Sequence, residues 1–189
     1  VRGMIDSFLG VLDGAEAGIT ATAPERLTVG FTSFPLEGAP AVDAVRSTPG
    51  VERMSTGLRV GGTLRGPSGA SLDSLVDVID MDHGIWAPPL AEGVRTSDEP
   101  GLVIAAKAAD DLGVRPGDRV AFRHPVREGL GYRWVDGEIT VIGIHTFPYR
   151  FVSFLDTAHA DLFGAAGIVS FAEVQPTAGA DRTALQRQL

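Results

Sequence analysis

Turn sequences that neither a helix nor a strand can run through cut this chain at short intervals, and they constrain its fold more than any other feature. They are Thr48-Pro49-Gly50, Gly66-Pro67-Ser68-Gly69 and Val114-Arg115-Pro116-Gly117-Asp118. Proline fixes φ and removes an N–H, and glycine accepts the backbone angles that a reversal needs. Between the turns the apolar residues mostly alternate, which is the period of a strand. Leu27, Val29 and Phe31 predict a strand over 26–32. Pro40 stands where a first helical residue belongs, and Ala41, Val42 and Val45 give that helix a short apolar face. Val51 then opens a strand through Met54, Thr56, Leu58 and Val60, so the start of the chain reads as a β-α-β unit. A hairpin of 58–64 with 73–80 follows across Gly66–Gly69, and 80–100 reads as irregular.

The second half repeats this grammar. Gly101–Ile104 predicts a short strand, 105–112 an Ala-rich helix, and Gly113 its cap. Strands are expected over 119–125, 133–146, 151–155 and 168–174. Asp156 and Asp181 are placed to cap two further helices, the first ended by Gly164 and the second carrying Leu185 and Leu189. At the other end, Ile5, Phe8, Leu9, Leu12 and Ala15 fall on one face of a helix over 1–17. Its glycines, Gly10 and Gly14, weaken it, so it needs something to dock on or to continue from.

Composition narrows the chemistry. The 189 residues carry a formal charge of −8, which argues against a nucleic-acid partner, since that requires a basic stripe. The chain has no cysteine, which removes thiol catalysis and thiolate metal sites, and no asparagine to accept an N-glycan. No run reaches the roughly 20 apolar residues of a membrane span.

No catalytic, cofactor or metal residue is assigned. Asp80, Asp82 and His83 form the best acidic cluster, for a metal or a general base, against the simpler reading of solvated loop carboxylates. His124 and Glu128 have a ligand spacing only in a helix, which Pro125 forbids; His145 and His159 stand alone. Ser68 lies in a turn rather than a nucleophile elbow, and Gly61-Gly62 begins no nucleotide-binding loop. The partner-binding candidates are Trp86, Phe147, Tyr149, Arg150 and Phe151, with Phe154 and Phe34 near them. Aromatics with an arginine beside prolines suit a partner surface, and they equally suit a loop anchored in the core.

The order of the later blocks carries a resemblance. Gly101-Leu102-Val103-Ile104, Leu112-Gly113-Val114, Gly117-Asp118-Arg119-Val120 and Thr140-Val141-Ile142-Gly143-Ile144 follow one another. Asp156, Ala158, Leu162, Phe163 and Gly164 come next, with Pro49-Gly50-Val51 upstream and Gly179-Ala180-Asp181 downstream. This resembles the extracytoplasmic domain of FtsX-like, MacB-like ABC transporter permeases over most of 26–189. The resemblance implies an α+β fold: a porter-like β-α-β subdomain built from both chain ends, with a β-rich, sabre-like subdomain inserted. The implied division is 1–20 as a helix continuing a first transmembrane helix, 21–66 and 165–189 as the porter-like part, and 67–164 as the insertion. It implies a non-enzymatic domain outside a bacterial cell membrane that couples cytoplasmic ATP hydrolysis to export, lipoprotein release or action on a partner protein. The implied partners are a cytoplasmic ATPase subunit, a second permease copy and a cargo or outer partner. A Cys-free outer domain also avoids stray disulfides. Residues 101–145 alone resemble a double-psi β-barrel, which would imply a cofactor-binding domain instead.

Overall fold

The computed structural model describes residues 26–30, 36–37, 39–129 and 131–189. The helix expected over 1–17, and Phe31 and Phe34, lie outside the described residues. Eleven strands and three short helices are β1 Leu27–Gly30, β2 Leu36–Glu37, α1 Ala39–Arg46, β3 Val51–Arg65, β4 Ser71–Ile79, β5 Leu90–Gly93, β6 Gly101–Ala105, α2 Ala106–Leu112, β7 Arg119–Glu128, β8 Gly131–His145, β9 Val152–Asp156, β10 Ile168–Val169, β11 Phe171–Pro176 and α3 Arg182–Gln188, with a 3₁₀ segment at Thr157–Phe163. The fold is α+β.

Nine strands share one mixed sheet, in the order β1-β11-β3-β4-β9-β6-β8-β5 with β7 joined to both β3 and β8. That double attachment makes β3, β4, β9, β6, β8 and β7 a closed circuit of neighbours, with β4–β9 and β6–β8 parallel. Closing a sheet on itself removes open edges and gives an interior that side chains can fill. Leu64, Val76, Leu102, Ile104, Val141 and Leu155 fill it and are fully buried. Leu64 comes from an alternating stretch of β3, whereas Leu102, Ile104 and Leu155 come from β6 and β9, which are buried on both faces and read as near-continuous apolar runs.

β3 is the spine. Its first half pairs with β11 from Val51 to Gly57, and its second half pairs with β4 from Gly57 to Arg65. β1 and β11 extend the sheet beyond the circuit, where Val45 of α1 packs with Ala172 and Val174, and the buried Leu185 of α3 lies against Gly50. β1, early in the chain, therefore reaches the first half of β3 only through β11, late in the chain, which pairs with both.

The punctuation falls where it was expected. Gly113 takes φ 69°, and its N–H closes α2 onto the Ala109 and Asp110 carbonyls. Asp181 Oδ1 accepts the Thr183 and Ala184 N–H groups at the start of α3. The segment after Asp156 differs from expectation, being 3₁₀ rather than α. His159 leaves helical angles (φ −111°, ψ 18°), and its Nε2 lies 2.9 Å from the Ser97 carbonyl oxygen. The stretch 80–100 also holds β5, an exposed edge strand on β8 whose Leu-Ala-Glu-Gly sequence has no strand-forming pattern.

Gly66 shows how tightly the hairpin turn seats on α2. A Cβ there would lie 2.2 Å from the Leu112 carbonyl oxygen. Gly66→Ala should cost about 1–3 kcal/mol in urea unfolding, because the helix end must be pushed away. An unchanged midpoint would show that the two segments do not bear on each other.

Candidate functional site

The aromatic block becomes a layer at one side of the sheet. β8 ends at His145, and β9 begins at Val152, so 146–151 must fold back over the strands. Phe147 and Phe154 rings pack edge-on to Trp86 at 5.7 and 5.6 Å, and Tyr149 reaches Phe147 at 5.2 Å. Trp86, Tyr149 and Phe151 are half-buried against Ile79, Met81, Val103, Val152 and Phe171. Edge-to-face pairs of this kind add about 0.5–1.5 kcal/mol beyond burial.

His145 locks the loop from below. It is wholly buried, its Nε2–H donates to the Val152 carbonyl at 3.0 Å, and its Nδ1 accepts the Phe147 N–H at 3.1 Å. Burial pushes its pKa down to about 4, with the Val152 carbonyl working in the opposite direction. His124 is lowered too, by burial first, and stacks on Phe122 at 4.7 Å.

Arg150 is the charged member of the loop, and it is exposed. It donates to Asp111 Oδ2 at 3.0 Å, and Lys107 bonds the same carboxylate. The Lys107 ammonium, then Arg150, holds the Asp111 carboxyl below its ordinary value. Two further ion pairs lie nearer the aromatics. Arg26 pairs with Glu173 at 3.3 Å and lies over the Trp86 ring at 4.1 Å. Arg59 grips the buried Asp77 with two bonds of 2.6 and 2.8 Å.

The acidic cluster is a turn. Asp80 Oδ1 accepts the Asp82 and His83 N–H groups at 3.1 and 2.7 Å, and Asp82 reaches Thr96 at 3.4 Å. Among the described residues no three His, Asp or Glu are grouped to hold a metal ion.

Two solved structures share this architecture. The extracellular domain of the noncanonic ABC-type transporter YknZ from Gram-positive bacteria matches with a TM-score of 0.54 and 14% identity, over 86% of this chain and 87% of that one. The chain has the fold of an extracytoplasmic ABC-transporter domain. The periplasmic region of MacB from Actinobacillus actinomycetemcomitans gives the same TM-score of 0.54 at 9% identity, over 86% of this chain and 78% of that one. No family description matches the chain, and no curated protein does. At such identities the likeness is one of fold, so no residue's role transfers with it. Among the described residues no helix is long and apolar enough to cross a membrane.

Sequence reasoning missed one pair altogether. Tyr132 and Trp134 on β8 are 52% and 55% exposed, whereas the aromatics of the loop are not. Their Tyr-x-Trp spacing puts both rings on one face of the strand, and Pro125 and Arg127 stand opposite on β7. The spacing was visible, but which face looked outward was not.

Proposed function

We propose that this chain is the extracytoplasmic domain of an ABC transporter permease in a bacterial cell membrane. It does no chemistry of its own and couples cytoplasmic ATP hydrolysis to export, lipoprotein release or work on a partner protein outside the membrane. The observation that carries this reading is the fold shared over 86% of the chain with outer domains of two ABC-type transporters. The physical support is β3, one continuous strand that joins the end built from both chain termini to the closed circuit. A displacement delivered at one end of such a strand reaches the other, because a close-packed interior yields little. In this reading the working permease includes an ATPase subunit and a second copy, and 67–164 acts as the inserted part between 21–66 and 165–189. A cofactor-binding barrel is disfavoured, since the interior of the circuit is filled by Leu64, Leu102, Ile104 and Val141.

For the aromatic loop we propose a division of labour. Trp86, Phe147, Tyr149 and Phe151 anchor it, and Arg150 is the side chain it offers to a partner. In the full-length permease reconstituted with its ATPase, replacing residues 26–189 by a Gly/Ser linker should leave ATP hydrolysis measurable and abolish transport. Arg150→Ala should keep the melting temperature, because exposed ion pairs contribute about 0–1 kcal/mol, yet reduce transport. A reading frame without membrane spans on either side of this chain would refute the permease reading.

A further inference from the structure

Among the described residues, no strand pairs with the outer side of β8 from Gly131 to Ile139. β7 takes the inner side, from Val120↔Ile139 to Glu128↔Gly131. Along the outer side β6 begins only at Gly101↔Thr140, where Pro100 stands in front of it. Two observations fix which backbone groups line the open side. Val141 turns both its N–H and its carbonyl to the β7 side, meeting the Asp118 carbonyl and the Gly117 N–H at 2.8 Å. Pro125, which has no N–H to give β8, stands opposite Trp134. Alternation from either residue gives one answer: Tyr132, Trp134, Asp136 and Glu138 direct their N–H and C=O groups outward. The free edge of β7 is blunted by Pro125, whereas this stretch of β8 has no proline, lysine or bulge.

The charges of the hairpin are matched within it. Glu138 pairs with Arg119 at 3.2 Å, Asp136 with Arg123 at 3.9 Å, and Glu128 with Arg133 at 3.4 Å. The chain carries −8 overall, yet no carboxylate of this hairpin is left over to repel a like surface. Equally, no uncompensated charge here selects an acidic or a basic partner. What the edge offers is apolar: Tyr132 and Trp134, both more than half exposed, rise from one face of it. Arg123 covers part of Trp134, its guanidinium 5.4 Å from the centre of the ring. A neutral edge with aromatics on one face and a row of unpaired backbone groups is complementary to itself.

We propose that β8 pairs antiparallel with β8 of a second copy of this chain, across a two-fold axis at Trp134. Tyr132, Trp134 and Asp136 of each copy then exchange N–H···O=C bonds. Trp134 faces Trp134 of the second copy, Tyr132 faces its Asp136, and the Tyr and Trp rings of both copies gather on one face. The neighbouring registers fail. Centred on Val135, the turn of one copy would take the place that Gly101 of the other holds opposite Thr140. Centred on Asp136, two like carboxylates would also stand opposite each other. The inference stands on the strand edge alone, and its failure would leave the permease reading untouched.

Sedimentation equilibrium of the 189-residue chain, up to millimolar concentration, should show a reversible monomer–dimer equilibrium. Between dilute and concentrated samples the Trp134 and Asp136 amide protons should gain about tenfold protection from exchange. The Val135 amide, which already faces β7, should not. Trp134→Lys sets two ammonium groups on the axis and should weaken association about tenfold or more. Asp136→Pro removes one outward N–H and should do the same. Both positions are exposed, so the melting temperature should hold. If one variant fails to fold, the other decides. The proposal is overturned if the chain stays monomeric at millimolar concentration, if a folded variant dimerises like the parent, or if the gain in protection falls on another strand. A monomeric chain that binds phosphatidylglycerol vesicles through Trp134 would overturn it in favour of a membrane.

Discussion

Phe163→Ala should destabilise the chain by about 3–5 kcal/mol, a loss that urea unfolding at neutral pH would read as a large fall in midpoint. Phe163 is 2% exposed and closes the 3₁₀ segment Thr157–Phe163. Its ring stands edge-on to Phe122 at 6.2 Å and to His124 at 5.3 Å, both on the inner face of β7. Truncation removes the apolar contact and leaves a cavity that closed strands cannot collapse to fill. The neighbouring Gly164, at φ 60°, fixes where the segment ends, so the backbone has little freedom to carry another side chain into the space. Phe163→Leu should recover much of the loss, because it returns volume without the edge contacts. A loss below about 1 kcal/mol for Phe163→Ala would mean that the segment is not part of the closed core.

That prediction marks the limit of what the sequence made legible. Asp156, Gly164, Gly113 and Asp181 act through local backbone chemistry, so their roles were readable residue by residue. The interior strands were readable because burial on one face imposes period two, as along β3 and β7, and burial on both faces imposes a short, nearly unbroken apolar run, as in β6 and β9. The closure of β7 onto β3 was not, because pairing between Thr63 and Arg123 leaves no mark in either segment alone. β5 was missed for the opposite reason: an exposed edge strand is held by β8's backbone, and its own side chains need no pattern. The aromatic loop was legible as a block but not in its parts. One stretch, 147–151, holds the half-buried Phe147 and Tyr149 and the exposed Arg150, and only the tertiary position of His145 and Trp86 separates them. Tyr132 and Trp134 were hidden by their regularity, since alternation along β8 looks the same whichever face meets water.

Acid should weaken this chain through His145 before general acid denaturation sets in. In the unfolded chain the ring takes a proton near pH 6.5, whereas in the fold burial holds its pKa at about 4. Above pH 6.5 both states are neutral, and the group adds no pH dependence. Between 6.5 and 4 the unfolded state binds the extra proton and the native state does not, so stability falls as pH falls. Each unit is worth about 1.4 kcal/mol, so the full window amounts to about 3 kcal/mol. The geometry explains why the native ring resists: Nε2–H is already given to Val152, and Nδ1 is already occupied by the Phe147 N–H. A second proton on Nδ1 would have to expel that N–H and break the hold on the loop. His124 is lowered in the same direction and adds to the effect. An NMR titration should find His145 still neutral at pH 5. Urea unfolding at pH 7 and pH 5 should differ by about 2 kcal/mol from this group, and His145→Gln, which keeps a donor for Val152, should remove that share. If His145 titrates near 6.5 in the native chain, the ring is open to water and the loop is not locked from below.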